Sequence, residues 1–231
     1  MPPFSRRQFL QTSLIGLAAL ASVAAGPEVS LQAPTVFNVR PAVPALALTF
    51  DDGYVNVARL LDAARKAEVR LTLFPVGQLL DRRPEVWQRA VAEGHEIGCH
   101  TYTHRALGGQ PVETVRAELE QFCTAAHKQL GLEAVRLFRP PYGSGWSAPA
   151  VQQAAAEFGM TVVMWNRVSP GRQASRPSEV VQALQQSARA GDIVLYHFQA
   201  AEVAAFPRLV EHGRAQGWHV GTVGELLAAG G

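Results

Sequence analysis

The sequence predicts an α/β protein in which helices cover a parallel sheet, and three observations predict it. Short β-branched, apolar runs alternate with amphipathic runs of helical period. Seven such strand-then-helix units follow Ala45, in about 185 residues. The residues with reactive side chains gather just after the strand-like runs, where parallel α/β folds collect their ligands. Seven units suit either a (β/α) barrel or an open doubly wound sheet.

The elements follow in order. "SRRQFLQTSLIGLAALASVAAG" opens with Arg6 and Arg7, continues into a moderately apolar stretch and ends in small residues around Val23, Ala24 and Ala25. That is the order of a secretion signal, and "SRRQFL" resembles a bacterial twin-arginine signal. Its apolar part, Leu14 to Ala25, is too short and too rich in Ala and Gly to favour a membrane anchor, so residues 1–25 are expected to be cleaved. Residues 26–44 carry four prolines and read as an extended linker or a strap onto the domain. The catalytic domain is expected over residues 45–231.

From there "ALALTF" precedes the helical "VARLLDAARKA". "RLTLFPVG" precedes "PEVWQRAVAEG", with Pro84 where a first turn tolerates it and Gly94 as a stop. "EIGCH" precedes a long helix, Val112 to Leu130. "AVRLF" precedes "APAVQQAAAEFG", and "TVVMW" precedes "PSEVVQALQQSARAG". "DIVLYHF" precedes "FPRLVEHGRAQG", and "HVGTV" leads into "GELLAA".

Composition narrows the function. The chain is 48% hydrophobic, enough for a sizeable core in one domain of this length. Its formal charge of +2 comes from 21 basic and 19 acidic residues. Loss of residues 1–25 removes two arginines and no acid, leaving 19 against 19. A near-neutral surface has no field to steer it to nucleic acid. The two cysteines, Cys99 and Cys123, are expected to be packing residues rather than a disulfide.

The strand ends carry the chemistry. Asp51 and Asp52 follow the first strand; "HTYTH", with His100 and His104, follows the third; "RPPYG" follows the fourth; Trp165 and Asn166 end the fifth; His197 ends the sixth. Each alone has an ordinary reading as a turn, a surface pair, a rigid loop or a satisfied core histidine. Together they supply what a hydrolytic metal site needs. Histidines four apart on a helical turn point the same way. Two histidines and one aspartate make the three protein ligands of a catalytic Zn²⁺ site, with a position left for water. The second aspartate is then free to act as a base, and the cation offsets the repulsion between the adjacent carboxylates. Arg139, held by Pro140 and Pro141, can keep that base ionised. The backbone N–H of Tyr142 is a candidate oxyanion donor, and His197 a candidate general acid. Among Phe74, Tyr102, Tyr142, Trp146 and Trp165, the faces of Tyr142 and Trp146 are candidates to line a saccharide groove; Phe74 and Trp165 read equally well as core residues.

"ALTFDDG", "GHEIGCHTYTH", "FRPPYG" and "GDIVLYH" stand in the order and spacing of the first, second, third and fifth motifs of the polysaccharide deacetylases. These are the NodB-homology enzymes, family four of the carbohydrate esterases, and the resemblance covers Pro44 to Leu227. It implies a distorted (β/α) barrel of seven or eight units. It implies Asp51 as base, Asp52, His100 and His104 as metal ligands, Arg139 as holder of the base, Tyr142 as oxyanion donor and His197 as acid. The cofactor implied is a divalent ion, Zn²⁺ first, with Co²⁺, Mn²⁺ or Ni²⁺ suited to the same ligands. The substrate implied is an acetylated polysaccharide, met by an exported monomer.

One stretch departs from the family pattern. The fourth motif has a tryptophan followed by aspartates, one of which pairs with the acid histidine. Here "VMWNRVSPGR" keeps Trp165 but has Val168 and Gly171 near the expected acids. Asp192, at the start of its strand, should face the opposite end. Asn166 or Ser169 is left to orient His197. The departure also suits an O-acetyl esterase of xylan-type polymers, or a catalytically weak wall-binding homologue.

Overall fold

The structure, a computed structural model, describes residues 32–230. The expected signal, residues 1–25, lies outside the described residues. The chain runs β1 (Thr35–Val36), β2 (Ala45–Asp52), α1 (Val57–Ala67), β3 (Thr72–Pro75), α2 (Gly77–Arg82), α3 (Pro84–Ala92), β4 (Glu96–Ile97) and α4 (Val112–Leu130). It continues through β5 (Leu137–Phe138), α5 (Pro149–Glu157), β6 (Thr161–Val163), β7 (Arg167–Val168), α6 (Pro177–Ser187), β8 (Ile193–His197), α7 (Ala200–Ala215), β9 (His219–Gly221) and α8 (Val223–Ala229).

All seven expected strand runs are strands, and every ladder between named strands is parallel. They form two sheets, β1-β6-β5 and β4-β3-β2-β8-β7, with β9 beside the start of β2. Two isolated bridges join the sheets. Cys99 pairs in parallel with Phe138, linking β4 to β5, and Asn38 pairs with Asp192, linking the end of β1 to β8. The ring β2-β3-β4-β5-β6-β1-β8 therefore closes. This decides the question the strand count left open: the fold is a distorted barrel, not an open sheet. The proline-rich segment before Ala45 takes part in that closure, because Thr35–Val36 lies along β6 and Val39 N–H donates to Gly191 O at 2.9 Å.

Period-two alternation on β2 sets the inside and outside of the barrel. Leu46, Leu48 and Phe50 face outward into the core beneath the helices. The small Ala45 and Ala47 face inward, where they meet Ile193, Val163 and Leu137, with Val223 and Leu226 of α8. Thr49 and Asp51 continue the inward face towards the strand end. The helix α1 buries Val57, Leu60, Leu61 and Ala64, the i, i+3, i+4, i+7 stripe that its sequence predicts.

Two helices differ from expectation. α2 is a single short turn-and-a-half, "GQLLDR", too brief for its apolar period to register against the strand before it. α7 begins at Ala200, six residues before the expected Phe206, and encloses Pro207. Its start is set by a capping box between Gln199 and Glu202 rather than by the proline.

Candidate metal centre and active site

The predicted residues do meet at one rim, at the C-terminal ends of the strands. Asp51 and Asp52 close β2, His100 follows β4, Arg139 follows β5 and His197 closes β8. Asp51 and His197 are register partners on neighbouring strands, so both side chains leave the same face of the sheet.

Arg139 is fully buried and every arm of its guanidinium is engaged. Nη1 donates to Asp51 Oδ1 at 2.7 Å and to the Thr49 hydroxyl at 2.8 Å; Nε donates to Val163 O at 2.9 Å and Nη2 to Met164 O at 3.0 Å. Its plane lies 4.2 Å from the Phe74 ring centroid, a cation–π contact inside the barrel mouth. Burial lowers the Arg139 pKa and Asp51 opposes it, and a guanidinium so placed stays charged. Asp51, itself buried, is thus an ion-paired carboxylate with one oxygen committed and the other, Oδ2, 3.9 Å from His100 Nε2.

Asp52 turns the other way. Its φ of 81° is left-handed, and its Oδ1 lies 3.6 Å from His100 Nε2 and 3.1 Å from His104 Nε2. The three donor atoms fall within 4.8 Å of one another, the one such group of three among the described residues. Ligands at ~2.0–2.2 Å in a tetrahedron stand about 3.3–3.6 Å apart, so the 3.1 and 3.6 Å separations from Asp52 suit one ion the size of Zn²⁺. The imidazoles are oriented for it. His100 Nδ1–H donates to Arg139 O at 2.8 Å, and His104 Nδ1 lies 3.1 Å from the Tyr142 hydroxyl, so both rings turn their Nε2 atoms to Asp52. Burial pushes the Asp52 carboxyl up. The hydrogen bonds and charges of the two histidines more than reverse that, holding it well below the ordinary carboxylate range.

The histidine spacing works differently from expectation. Residues 100–104 are not a helical turn but a loop in which Thr101 (φ 61°) and His104 (φ 66°) are both left-handed. Thr101 Oγ1 accepts the His104 N–H at 3.0 Å. A buried carboxylate from α4 supports the same loop: Glu118 Oε2 accepts the N–H groups of Tyr102 (2.9 Å) and Thr103 (2.8 Å), and Oε1 accepts the Thr103 hydroxyl at 2.5 Å. Gly53, at φ 91°, is obligatory beside the acidic pair, because a Cβ there would collide with the Trp87 ring.

The fourth stretch removes one of the two alternatives for His197. Asn166 is not available to it: Nδ2 donates to Asp192 Oδ1 at 2.6 Å and Oδ1 accepts the Ile193 N–H at 3.0 Å. Asp192 also takes Arg167 Nε at 3.0 Å, so this acid is spent on the far end of the strand, as expected. Ser169 is buried and its hydroxyl accepts the Gly171 N–H at 3.2 Å. Behind His197 lies a residue that the sequence reading missed. Glu202 of α7 is fully buried, and its Oε2 accepts the His197 N–H at 2.9 Å.

The aromatics divide. Tyr142 is 72% exposed beside His104, in a turn where its own φ is 60°, so its ring and backbone both stand at the rim. Tyr54, half exposed and edge-on to His104 at 6.4 Å, joins it; its place right after the acidic pair was the available signal. Trp146 does not join them. It packs edge-on against Phe37 of the N-terminal strap at 4.9 Å and lines a separate cavity of about 420 Å³ with Gln32, Thr35 and Gln152. It remains 36% exposed there. Phe74 and Trp165 flank the Arg139 guanidinium, and Tyr102 is tied to Asp81 through its hydroxyl at 3.0 Å.

Known proteins are similar to this chain in sequence and in fold. Residues 38–163 match the sequence profile of the polysaccharide deacetylases. The chitooligosaccharide deacetylase of Sinorhizobium fredii is 34% identical over 194 residues, covering 76% of this chain and 88% of that protein. The peptidoglycan-N-acetylglucosamine deacetylase of Bacillus cereus is 30% identical over 190 residues, covering 79% and 87%. The bifunctional xylanase/deacetylase of Pseudobutyrivibrio xylanivorans is also 30% identical, but this chain spans only 30% of its length. Among solved structures, a family-four carbohydrate esterase pseudoenzyme from Bacillus anthracis superposes with a TM-score of 0.80 at 25% identity, over 85% of this chain and 70% of that one. A mutant of that protein with restored enzymatic activity matches at the same TM-score and 26% identity, over 85% and 72%. The motif order, the closed barrel and these matches agree, and the chain belongs to the polysaccharide deacetylase family.

Proposed function

We propose that this chain is an exported, divalent-metal-dependent hydrolase that removes N-acetyl groups from an N-acetylglucosamine polymer of the peptidoglycan or chitin type. The observation that carries the reading is the division of labour between adjacent carboxylates. Asp51 is held by Arg139 while Asp52 faces the Nε2 atoms of two imidazoles.

Asp52, His100 and His104 would hold the ion, Zn²⁺ before Co²⁺, Mn²⁺ or Ni²⁺. When bound there, such an ion acidifies water and polarises the acetyl carbonyl. The chain supplies the rest. Asp51 takes the proton of the attacking water, and the buried Arg139 holds that carboxylate in position. The Tyr142 N–H, following two prolines that have none, donates to the developing oxyanion. His197, beside Asp51 on the neighbouring strand β8, gives a proton to the departing amine. Tyr54 and Tyr142 present exposed faces on which a sugar ring can stack.

The relatives' names support the amide substrates. The unusual fourth stretch favours one second reading, an O-acetyl ester whose alcohol leaves with less help from an acid. Export rests on the paired arginines and the short apolar run before Gly26; no helix among the described residues is long and apolar enough to cross a membrane.

The test is acetate release from an N-acetylglucosamine oligomer, peptidoglycan and acetylated xylan, each with added Zn²⁺ or with chelator. Chelator-sensitive release from the amide polymers is expected. Release from xylan alone would move the assignment to an esterase, and no release from any, with metal bound, would favour a binding role.

A further inference from the structure

We propose that Tyr142 works through its side chain as well as its backbone: its hydroxyl is the outer hydrogen-bond partner of His104, which makes Tyr142 a positioning residue for the ion and ties the oxyanion donor to the metal centre. The inference rests on the reading of Asp52, His100 and His104 as ligands.

The two histidines are held differently. His100 is buried, and its Nδ1 meets a backbone carbonyl, Arg139 O, at 2.8 Å. His104 has no such support. Its backbone is left-handed at φ 66°, and its side chain is partly open to water. Among the described residues, the Tyr142 hydroxyl at 3.1 Å is the one hydrogen-bond partner of its Nδ1. An imidazole that gives its Nε2 lone pair to an ion carries its proton on Nδ1. The partner of that N–H fixes the ring's orientation and its strength as a ligand. For His104 that partner is a phenol oxygen, which can accept the proton.

Tyr142 is held in place for this contact. A bulky residue rarely takes the left-handed region, yet Tyr142 stands there at φ 60° and ψ 9°. Such a conformation persists only where its surroundings hold it. Here Gly143 N–H donates to Pro140 O at 3.0 Å and Ser144 N–H to Pro141 O at 2.9 Å, closing the turn. The same loop touches the histidine loop a second time. Ser144 Oγ accepts the Gly108 N–H at 3.0 Å, and a Cβ on Gly145 would come within 2.9 Å of Gly108. Two contacts, at Tyr142 and at Ser144–Gly145, therefore clamp the segment from His104 to Gly108. The Tyr142 ring lies edge-on to that of His104, with 4.8 Å between centroids, and the residue is 72% exposed. Core packing does not explain a tyrosine there; the hydroxyl contact does. Because the backbone N–H of the same residue is the proposed oxyanion donor, whatever fixes Tyr142 on His104 also fixes that N–H beside the ion.

The test reads the ion and the ring rather than turnover. Zn²⁺ affinity of the full chain is measured by competition with a chromogenic chelator for the parent, Tyr142→Phe and Tyr54→Phe. Tyr54 also lies edge-on to His104, at 6.4 Å, and serves as the control hydroxyl. Tyr142→Phe keeps the ring and the backbone N–H and removes one oxygen. Its affinity should fall about tenfold, as for loss of an outer partner of a ligand, with Tyr54→Phe within about twofold of the parent. Histidine-labelled nitrogen NMR of the zinc-loaded parent should show Nδ1–H protons of both His100 and His104 protected from exchange; Tyr142→Phe should lose one and keep the other. A Tyr142→Phe affinity within about twofold of the parent overturns the proposal. So does an equal fall in both variants, which would make the effect one of rim polarity. A zinc-loaded parent with a single protected Nδ1–H overturns it without any variant. Acetate release by the parent, measured in parallel, decides the hydrolase reading separately: its absence, with the affinities as expected, refutes that reading and upholds the positioning role.

Discussion

Replacing Asp51 by Asn separates base chemistry from metal binding more cleanly than any other single change. The carboxylate is 3% exposed and 2.7 Å from a guanidinium that is 0% exposed, so the substitution strands a buried positive charge. Breaking a buried pair outright costs about 3–5 kcal/mol. Asn keeps an oxygen that can still accept from Arg139 Nη1, and a hydrogen bond to a charged group is worth about 1.5–3 kcal/mol. The net destabilisation is then about 1–3 kcal/mol, a fall in Tm of several degrees for a domain of this size. Thr49, Val163 and Met164 continue to hold the guanidinium, which keeps the local structure. Metal affinity should change little, because Asp51 Oδ1 is committed to Arg139 and Oδ2 is the more distant oxygen from His100. Turnover should fall by about 10²–10⁴, the usual contribution of a general base. The assay pairs acetate release from an N-acetylglucosamine oligomer with calorimetric Zn²⁺ titration of the same sample. Activity within about threefold of the parent would refute the base assignment. An equal collapse of metal affinity and activity would show that Asp51 is a ligand and that the two carboxylates have been given each other's roles.

Three further outcomes follow from the same geometry. Glu118→Ala removes three hydrogen bonds from the loop between the two proposed histidine ligands, and Zn²⁺ affinity measured against a chromogenic chelator should drop about 10–100-fold. Glu118→Gln, which retains an acceptor for both N–H groups, should recover most of it. Gly53→Ala forces a side chain into φ 91° and against Trp87, so chemical denaturation should show a loss of about 2–4 kcal/mol. Wild-type stability there would mean that the turn relaxes freely. For His95, burial pushes the pKa down, with Glu93 opposing and Arg89 adding to the effect. The unfolded chain then takes up its proton first, near pH ~6.5. This contribution is fully present above that pH and is lost as pH falls below it, with a slope of up to about 1.4 kcal/mol per unit. Denaturation of His95→Asn between pH 8 and pH 5 should be flatter than that of the parent, and parallel curves would exclude His95 as the cause.

Much of this protein was legible in one dimension. The alternation of "ALALTF" with "VARLLDAARKA", repeated seven times, specified parallel strands beneath helices, because periods of two and 3.6 are properties of the local chain. The acids, histidines, Arg139 and His197 stood after strand runs, and a parallel sheet must carry all such positions to one rim. Their chemical types then pointed to a metal site and to a family. Tertiary structure decided what depends on burial and on distant neighbours. Ring closure came from Asn38 meeting Asp192 and Cys99 meeting Phe138, single bridges with no periodic trace. Residue types alone do not tell Asp51 from Asp52; they part because one stays on the inward face of β2 while the other is turned left-handed towards the histidines. The contact of Trp146 with Phe37 of the strap joins residues 109 positions apart and has no trace in local pattern. Glu118 and Glu202 are single carboxylates on amphipathic helices, indistinguishable in sequence from solvated ones. Only packing removes them from water and presses them against the backbone of the His100–His104 loop and of His197. Desolvation is not written in the order of the residues, and it is what turns an ordinary glutamate into part of a site.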